Sequence, residues 1–261
     1  MHTIAKASSA AGAFCGTLLA IALATSNARA DQRAEFLAGR TRDCPRCDLA
    51  GENFKRRDLA GADLSGANLG KATFHDARLT GARLTGADLS GANLNKANLA
   101  RADLSGAKLR EAMLYAANLD GAKLAGADLS EAMMGTARMT RSDLSKATLR
   151  NVDLRKARLA EAILVEADMS GIALDAAILR GARLDGSRLA DARLMAAELI
   201  GASLLGADLT DADAQAANLR GADLTRANLT GANLHRANLY EAKLDDAVFR
   251  DTTMPDGTKR P

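Results

Sequence analysis

The chain has 261 residues, 26% of them charged and only 3% aromatic, with a formal net charge of +3 and no tryptophan. A balance this close to neutral excludes a strongly acidic phosphate mimic and a strongly basic phosphate binder as simple readings. Tyr115 and Tyr240 are the only tyrosines, too few for the stacking platform of a single-strand binder.

Residues 1–30 read as a secretory signal peptide. Lys6 supplies a weak positive start. Ala10 to Ala24 is apolar and rich in small residues, including Phe14, Leu18, Leu19, Ile21 and Leu23. Ala28-Arg29-Ala30 then matches the small-x-small cleavage pattern, which predicts a mature chain starting at Asp31. The apolar run has 15 residues, short for a membrane span, although an uncleaved anchor or a buried helix would use the same residues. Cys15 does not suit lipid attachment, because Phe14 precedes it and much of the apolar run follows it. No later segment is apolar enough to cross a membrane. The expectation is an exported domain with no membrane span after cleavage, in the periplasm of a Gram-negative cell. A Gram-positive exterior or a thylakoid lumen stays open.

Residues 31–46 form an expected N-terminal cap segment. Ala34, Phe36 and Leu37 would make one apolar face of a short helix, placed to cover the open start of the long segment after it. Cys44 and Cys47, spaced Cys-Pro-Arg-Cys, are the only cysteines left after cleavage. In an exported protein a disulfide is the default reading. A redox pair or half of a metal site are the alternatives. A thioredoxin-like pair needs a βαβ setting, which the pattern lacks. A zinc site needs about four ligands, and beyond these thiols the mature chain offers only His75 and His235. No metal, cofactor or catalytic residue is therefore expected.

Residues 47–251 carry the dominant signal. From Leu49 to Phe249 every fifth residue is bulky and apolar, through 41 consecutive units, and only Ala214 is too small for the role. A typical unit is Ala62-Asp63-Leu64-Ser65-Gly66. Two residues before the bulky position stands Ala in 34 of the 38 units from Ala62 to Ala247, the exceptions being Ser142, Val152, Ile172 and Ser187. A helix wants apolar residues at i, i+3, i+4 and i+7, and a strand alternates with period two. Neither accommodates a strict five. A chain that turns a corner every five residues does, with one large and one small side chain of each unit pointing to a shared axis. Short-period self-similarity of this kind marks a solenoid.

The units resemble the pentapeptide-repeat family, and the resemblance covers residues 47 to 251. It implies an all-β fold: a right-handed quadrilateral β-helix with four units and 20 residues per coil, about ten coils here. The residues support a 20-residue coil on their own. The series Asp63, Arg83, Asp103, Lys123, Asp143, Ile163, Arg183, Ser203, Asp223, Lys243 never places like charges side by side, and neither does the series from Asp48 to Val248. Stacked residues about 4.8 Å apart prefer opposite charges by a few tenths of a kcal/mol or more. A third series is less clean, since Arg138 and Arg158 would stack. Glycine follows the corner in many units but never on the side centred on Phe54, Phe74, Leu94 and Leu114, which suggests a different turn there. Ala214 reads as a weak point or bend. A Cys-x-x-Cys opening like Cys44/Cys47 occurs in many exported members of the family, which favours the structural disulfide. At the other end Phe249 is expected to plug the core, with Met254-Pro255-Asp256-Gly257 as a turn that stops the ladder and 252–261 as a tail.

The surface charges recur by position in the unit, as a solvated face does. A filled four-sided rod offers no pocket with converging perturbed groups, so the expectation is a non-enzymatic scaffold with protein partners and no nucleic acid. It would be a monomer or weak homo-oligomer. The alternative, implied by the family's best-known members, is a cytosolic DNA mimic that binds DNA gyrase. Residues 47–251 hold 27 Lys+Arg against 28 Asp+Glu, which departs from such a mimic's strong negative stripe. Among outward positions, Met113, Tyr115 and Met133 would lie on adjacent coils and form the candidate interaction patch, with Met195 further along. Ile163, Val165, Ile178, Ile200 and Leu205 take outward slots on two other sides.

Overall fold

The computed structural model describes residues 30–260. The expected signal peptide, 1–30, lies outside them but for its last residue. Among the described residues two units are distinguished, 30–41 and 42–260. In the first, residues 30–37 are helical and Arg40 Nε donates to Glu35 Oε2 at 2.6 Å. Of the three residues expected to share an apolar face, Phe36 is buried, Leu37 is half-buried and Ala34 is exposed.

In the second unit, parallel bridges join each outward residue to the one 20 positions on, from Asp48↔Asn68 to Asn233↔Thr253. Four five-residue units therefore close one coil of a four-sided β-helix. The first side is centred on Leu49, Leu69 and their successors, the second on Phe54 and Phe74, the third on Leu59 and Leu79, the fourth on Leu64 and Leu84.

The unit Ala87–Gly91 shows why the pattern holds, because all five of its amides find acceptors. Asp88 N–H donates back to Ala67 O (2.9 Å), while Leu89 and Gly91 donate forward to Lys108 O (2.7 Å) and Arg110 O (2.8 Å). Ala87 N–H closes the turn onto Leu84 O at 3.0 Å. The fifth amide, Ser90 N–H, points outward and is taken by the Asp88 side chain, Oδ1, at 3.0 Å. The same Asx turn recurs at Asn98, Asp143 and Asp223, among others. Asp and Asn before the bulky residue thus satisfy an amide that neither neighbouring coil can reach.

Inside, the Leu and Ala ladders are buried nearly throughout, and Phe54 stacks on Phe74 with centroids 5.0 Å apart. Ser142 and Ser187, in the small inward position, turn their hydroxyls back to Met139 O and Leu184 O, both at 2.7 Å, so neither is an unmet polar group.

The corners correct one expectation. The second side, whose corner position never holds glycine, uses the same left-handed turn as the others. Arg56, Asp76, Lys96, Ala116, Thr136 and Lys156 have φ between 56° and 60°, against 63° to 71° for typical corner glycines such as Gly66, Gly86 and Gly231. Non-glycine residues there carry a strain of about 1–2 kcal/mol, which the continuous ladder on either side holds in place. The anticipated bend at Ala214 is also absent. Leu194 N–H reaches Asp213 O at 2.7 Å and Ala214 N–H reaches Asn233 O at 2.8 Å, distances typical of the whole ladder.

The C-terminal segment is more than a tail. β1 (Thr252–Thr253) pairs antiparallel with β2 (Lys259–Arg260). The turn between them holds Gly257 at φ 86°, and Met254 N–H bonds Thr258 O at 2.7 Å. This hairpin returns the Arg260 guanidinium to 4.5 Å from the ring centroid of Phe249, which is 8% exposed.

Candidate interaction groove

Outward positions on the second side are built as on the others, so each side chain's place follows from its register. Met113 and Met133 are bridge partners on adjacent coils. Tyr115 follows Leu114 by one residue and therefore projects beside Met113. Asn95, one coil earlier, accepts the Tyr115 amide on Oδ1 at 2.8 Å and pins its backbone. Tyr115 is 53% exposed and Met133 49%, two of four large apolar residues exposed to this degree among the described residues. The others are Tyr240 and Val248 near the C-terminal end. Ile163, Val165, Ile178, Ile200, Leu205 and Met195 are all half-buried.

Met113, Tyr115 and Met133 line one open groove of about 560 Å³, which Gly135, Arg155 and Lys156 complete. Gly135 is its floor. A Cβ there would come within 3.5 Å of Tyr115 Cδ2, so the phenol ring lies over a position without a side chain. Gly135 is not among the residues with positive φ. The backbone places no demand for glycine at this point, and what the residue provides is space.

The electrostatics of the rim are one-sided. Arg155 grips Asp153 with two bonds, Nε to Oδ1 at 2.9 Å and Nη2 to Oδ2 at 2.7 Å. These bonds hold the Asp153 carboxyl below the usual carboxylate range against the opposing pull of desolvation. At the corner before this side, Arg110 engages both Glu111 and Glu131. Asp76 faces Arg56 at 3.6 Å. The buried Asp175 carboxylate lies 2.9 Å from Arg193 Nη2, an ion pair without hydrogen-bond alignment. Lys96 and Lys156, both exposed at the corner after this side, have no ion pair among the described residues.

Elsewhere most ion pairs fall in two registers. Stacked pairs 20 residues apart include Arg78–Asp58 at 3.5 Å and Arg83–Asp63 at 3.6 Å. Arg141–Glu161, also 20 apart, closes to 2.7 Å, and diagonal pairs 18 apart include Arg138–Asp120 at 2.7 Å and Arg150–Asp168 at 2.6 Å. Arg138 and Arg158 do stack, and Arg138 turns to the diagonal aspartate. Cys44 and Cys47 form a disulfide, both buried.

Reading the sequence at 20-residue offsets places Met113, Tyr115 and Met133 together. The groove's floor and far wall, Gly135, Arg155 and Lys156, escape that reading. A signal was present: Gly135 is the only glycine to follow the bulky residue on the second side, directly one coil after the tyrosine.

A model of the pentapeptide repeats family matches eight copies lying between residues 46 and 251. Among solved structures, the chain is similar to HetL, a pentapeptide repeat protein involved in heterocyst differentiation regulation in the cyanobacterium Nostoc. The two are 33% identical, covering 87% of this chain and 97% of that one, with a TM-score of 0.47. QnrB1, a plasmid-mediated fluoroquinolone resistance protein, is 20% identical over 78% of this chain and 94% of its own, with a TM-score of 0.44. A pentapeptide repeat protein of the Arabidopsis thaliana thylakoid lumen is 31% identical over 44% of this chain and 70% of its own, with a TM-score of 0.30. A comparison with curated proteins gave no match. With the family model matching most of the chain and the 20-residue coil carried by its bridges, the protein belongs to the pentapeptide repeat family, and its repeats wind into a right-handed quadrilateral β-helix.

Proposed function

We propose that the protein is an exported, non-enzymatic scaffold that binds protein partners on the second side of its helix, with Met113, Tyr115 and Met133 as the contact. The observation that carries this reading is the groove itself, where an exposed tyrosine lying over Gly135 and an exposed methionine on the next coil form an open apolar surface. Contiguous apolar surface of this kind on a soluble protein marks interaction sites, and Tyr and Met are enriched at interfaces. Export rests on the residues of 1–30 and on the disulfide, which suits an oxidising compartment such as the periplasm. No helix among the described residues is long and apolar enough to cross a membrane.

The test combines Met113→Asp, Tyr115→Asp and Met133→Lys in one variant. Capture of envelope proteins and oligomeric state are then compared with the parent. Loss of a captured partner or of self-association supports the reading, and no change in either overturns it. Export is tested separately by sequencing the N-terminus of the mature protein from fractionated cells. A start at Asp31 in an extracytoplasmic fraction supports it; an intact Met1 in the cytosol turns attention to the gyrase-binding alternative, which a supercoiling assay then decides.

A further inference from the structure

Resting on the reading of this groove as a docking site, we infer that its partner is an extended acidic segment of the form acid–x–aromatic–x–acid. The acidic groups around the groove are matched: Glu111 and Glu131 by Arg110, Asp153 by Arg155, Asp76 by Arg56 and Asp175 by Arg193. What is left over is two exposed ammonium groups, Lys96 and Lys156, without an ion pair among the described residues. A basic partner would find no free carboxylate to meet, whereas an acidic one would find two free cations.

Spacing then selects the partner's conformation. Lys96 and Lys156 occupy equivalent corner positions 60 residues, hence three coils, apart. At about 4.8 Å per coil their backbones are ~14 Å apart along the rod. In an extended chain, residues i, i+2 and i+4 point the same way, and i to i+4 spans ~13 Å at about 3.3 Å per residue. A helix with carboxylates four apart covers only ~6 Å at 1.5 Å per residue. Between the lysines on that corner stand only Ala116 and Thr136, small and uncharged, so an extended chain can lie along it. The middle side chain then reaches the open groove beside the Tyr115 ring, which itself lies over Gly135. It meets the Tyr115 ring on one side and Met133 on the other, and an aromatic group matches both neighbours.

Composition supplies the assay. With no tryptophan and two tyrosines in the chain, Tyr240→Phe leaves Tyr115 as the single fluorescent reporter, set in the groove. The probe is acetyl-Glu-Ser-Phe-Ser-Glu-amide, which contains neither tyrosine nor tryptophan. The controls are its Lys-for-Glu counterpart and a same-composition peptide with the two acids adjacent. A saturable change in Tyr115 emission is expected with the probe, at least about tenfold tighter than with either control and weakened by salt. Lys96→Glu with Lys156→Glu, both at exposed positions, should reverse the preference in favour of the basic peptide. If the acidic and basic peptides bind equally, or the double variant keeps the parent's preference, the inferred partner chemistry is wrong while the groove survives as an apolar dock. If only the adjacent-acid control binds as well as the probe, the extended spacing is wrong. If no peptide changes Tyr115 emission at millimolar concentration, both the inference and the docking reading fail.

Discussion

Ala214 is the one place where the bulky ladder is empty, and filling it tests how the core is held. Its residue is 1% exposed, and the coils before and after it on the same side present Leu194 and Leu234, each also 1% exposed. The backbone has not drawn in, since the hydrogen bonds across Ala214 keep the ladder distances of 2.7 and 2.8 Å. Ala214→Leu adds three carbons to a closed site, worth about 2 kcal/mol at ~0.8 kcal/mol per buried methylene. Recovering lost packing around a void raises the gain towards ~4 kcal/mol. Long repeat arrays unfold without strict all-or-none behaviour. The measurement is therefore native-state hydrogen exchange at the amides of Leu194, Ala214 and Leu234, alongside the guanidinium midpoint. Leu174→Ala, on the same side, is the matched control, with an expected loss of about 3 kcal/mol. If Ala214→Leu lowers protection at these amides, the flanking leucines have already closed over the site and the added side chain overpacks it. The idea of an open ladder position would then be refuted.

Three further outcomes are expected. Ala176→Gly relieves a left-handed corner at φ 55° and should raise stability by up to about 1 kcal/mol after the unfolded-state entropy of glycine is offset, read as a shift in denaturation midpoint; a decrease would mean the corner carries no strain. The Asp63 and Asp223 carboxyls are held below the usual range, chiefly by hydroxyl and backbone N–H bonds from Ser65 and Thr225. With folded values below unfolded ones, their contribution is fully present above about pH 4 and is lost as the pH falls through the folded values. Thermal stability should fall in acid below that point, and Asp63→Asn, which keeps the acceptor as Asn98 does, should flatten part of the fall. Reducing the Cys44–Cys47 disulfide should cost about 2 kcal/mol by loop entropy for so short a loop, confined to exchange near Leu49 and Leu69; global unfolding on reduction would contradict this.

Much of the architecture was legible because period five is incompatible with helix and strand alike, so Leu49 to Phe249 left one solution. The stacked charge series was legible for the same reason. The diagonal pairs, such as Arg150 with Asp168, were not, because a long arginine leans across to the next coil and the relevant offset becomes 18 rather than 20. The role of Asp and Asn in taking the outward amide was also hidden: counting charges explains an alternation of sign, yet Asn98 does the same work without one. The second side misled because the absence of glycine suggested a new turn, whereas the ladder enforces the left-handed corner on any residue. At the groove, side chains could be placed by register, but a floor made of a missing side chain announces itself only in three dimensions.

The constant 20-residue coil makes the helix an indexing device. Adding or removing a whole coil ahead of Leu94 slides the groove along the axis by about 4.8 Å and leaves its compass bearing unchanged. Adding or removing one five-residue unit turns everything downstream by a quarter revolution. Length can thus be tuned in small steps without disturbing which way the groove faces, while a single-unit slip would point Tyr115 at an adjacent side and away from whatever the upstream coils are anchored to.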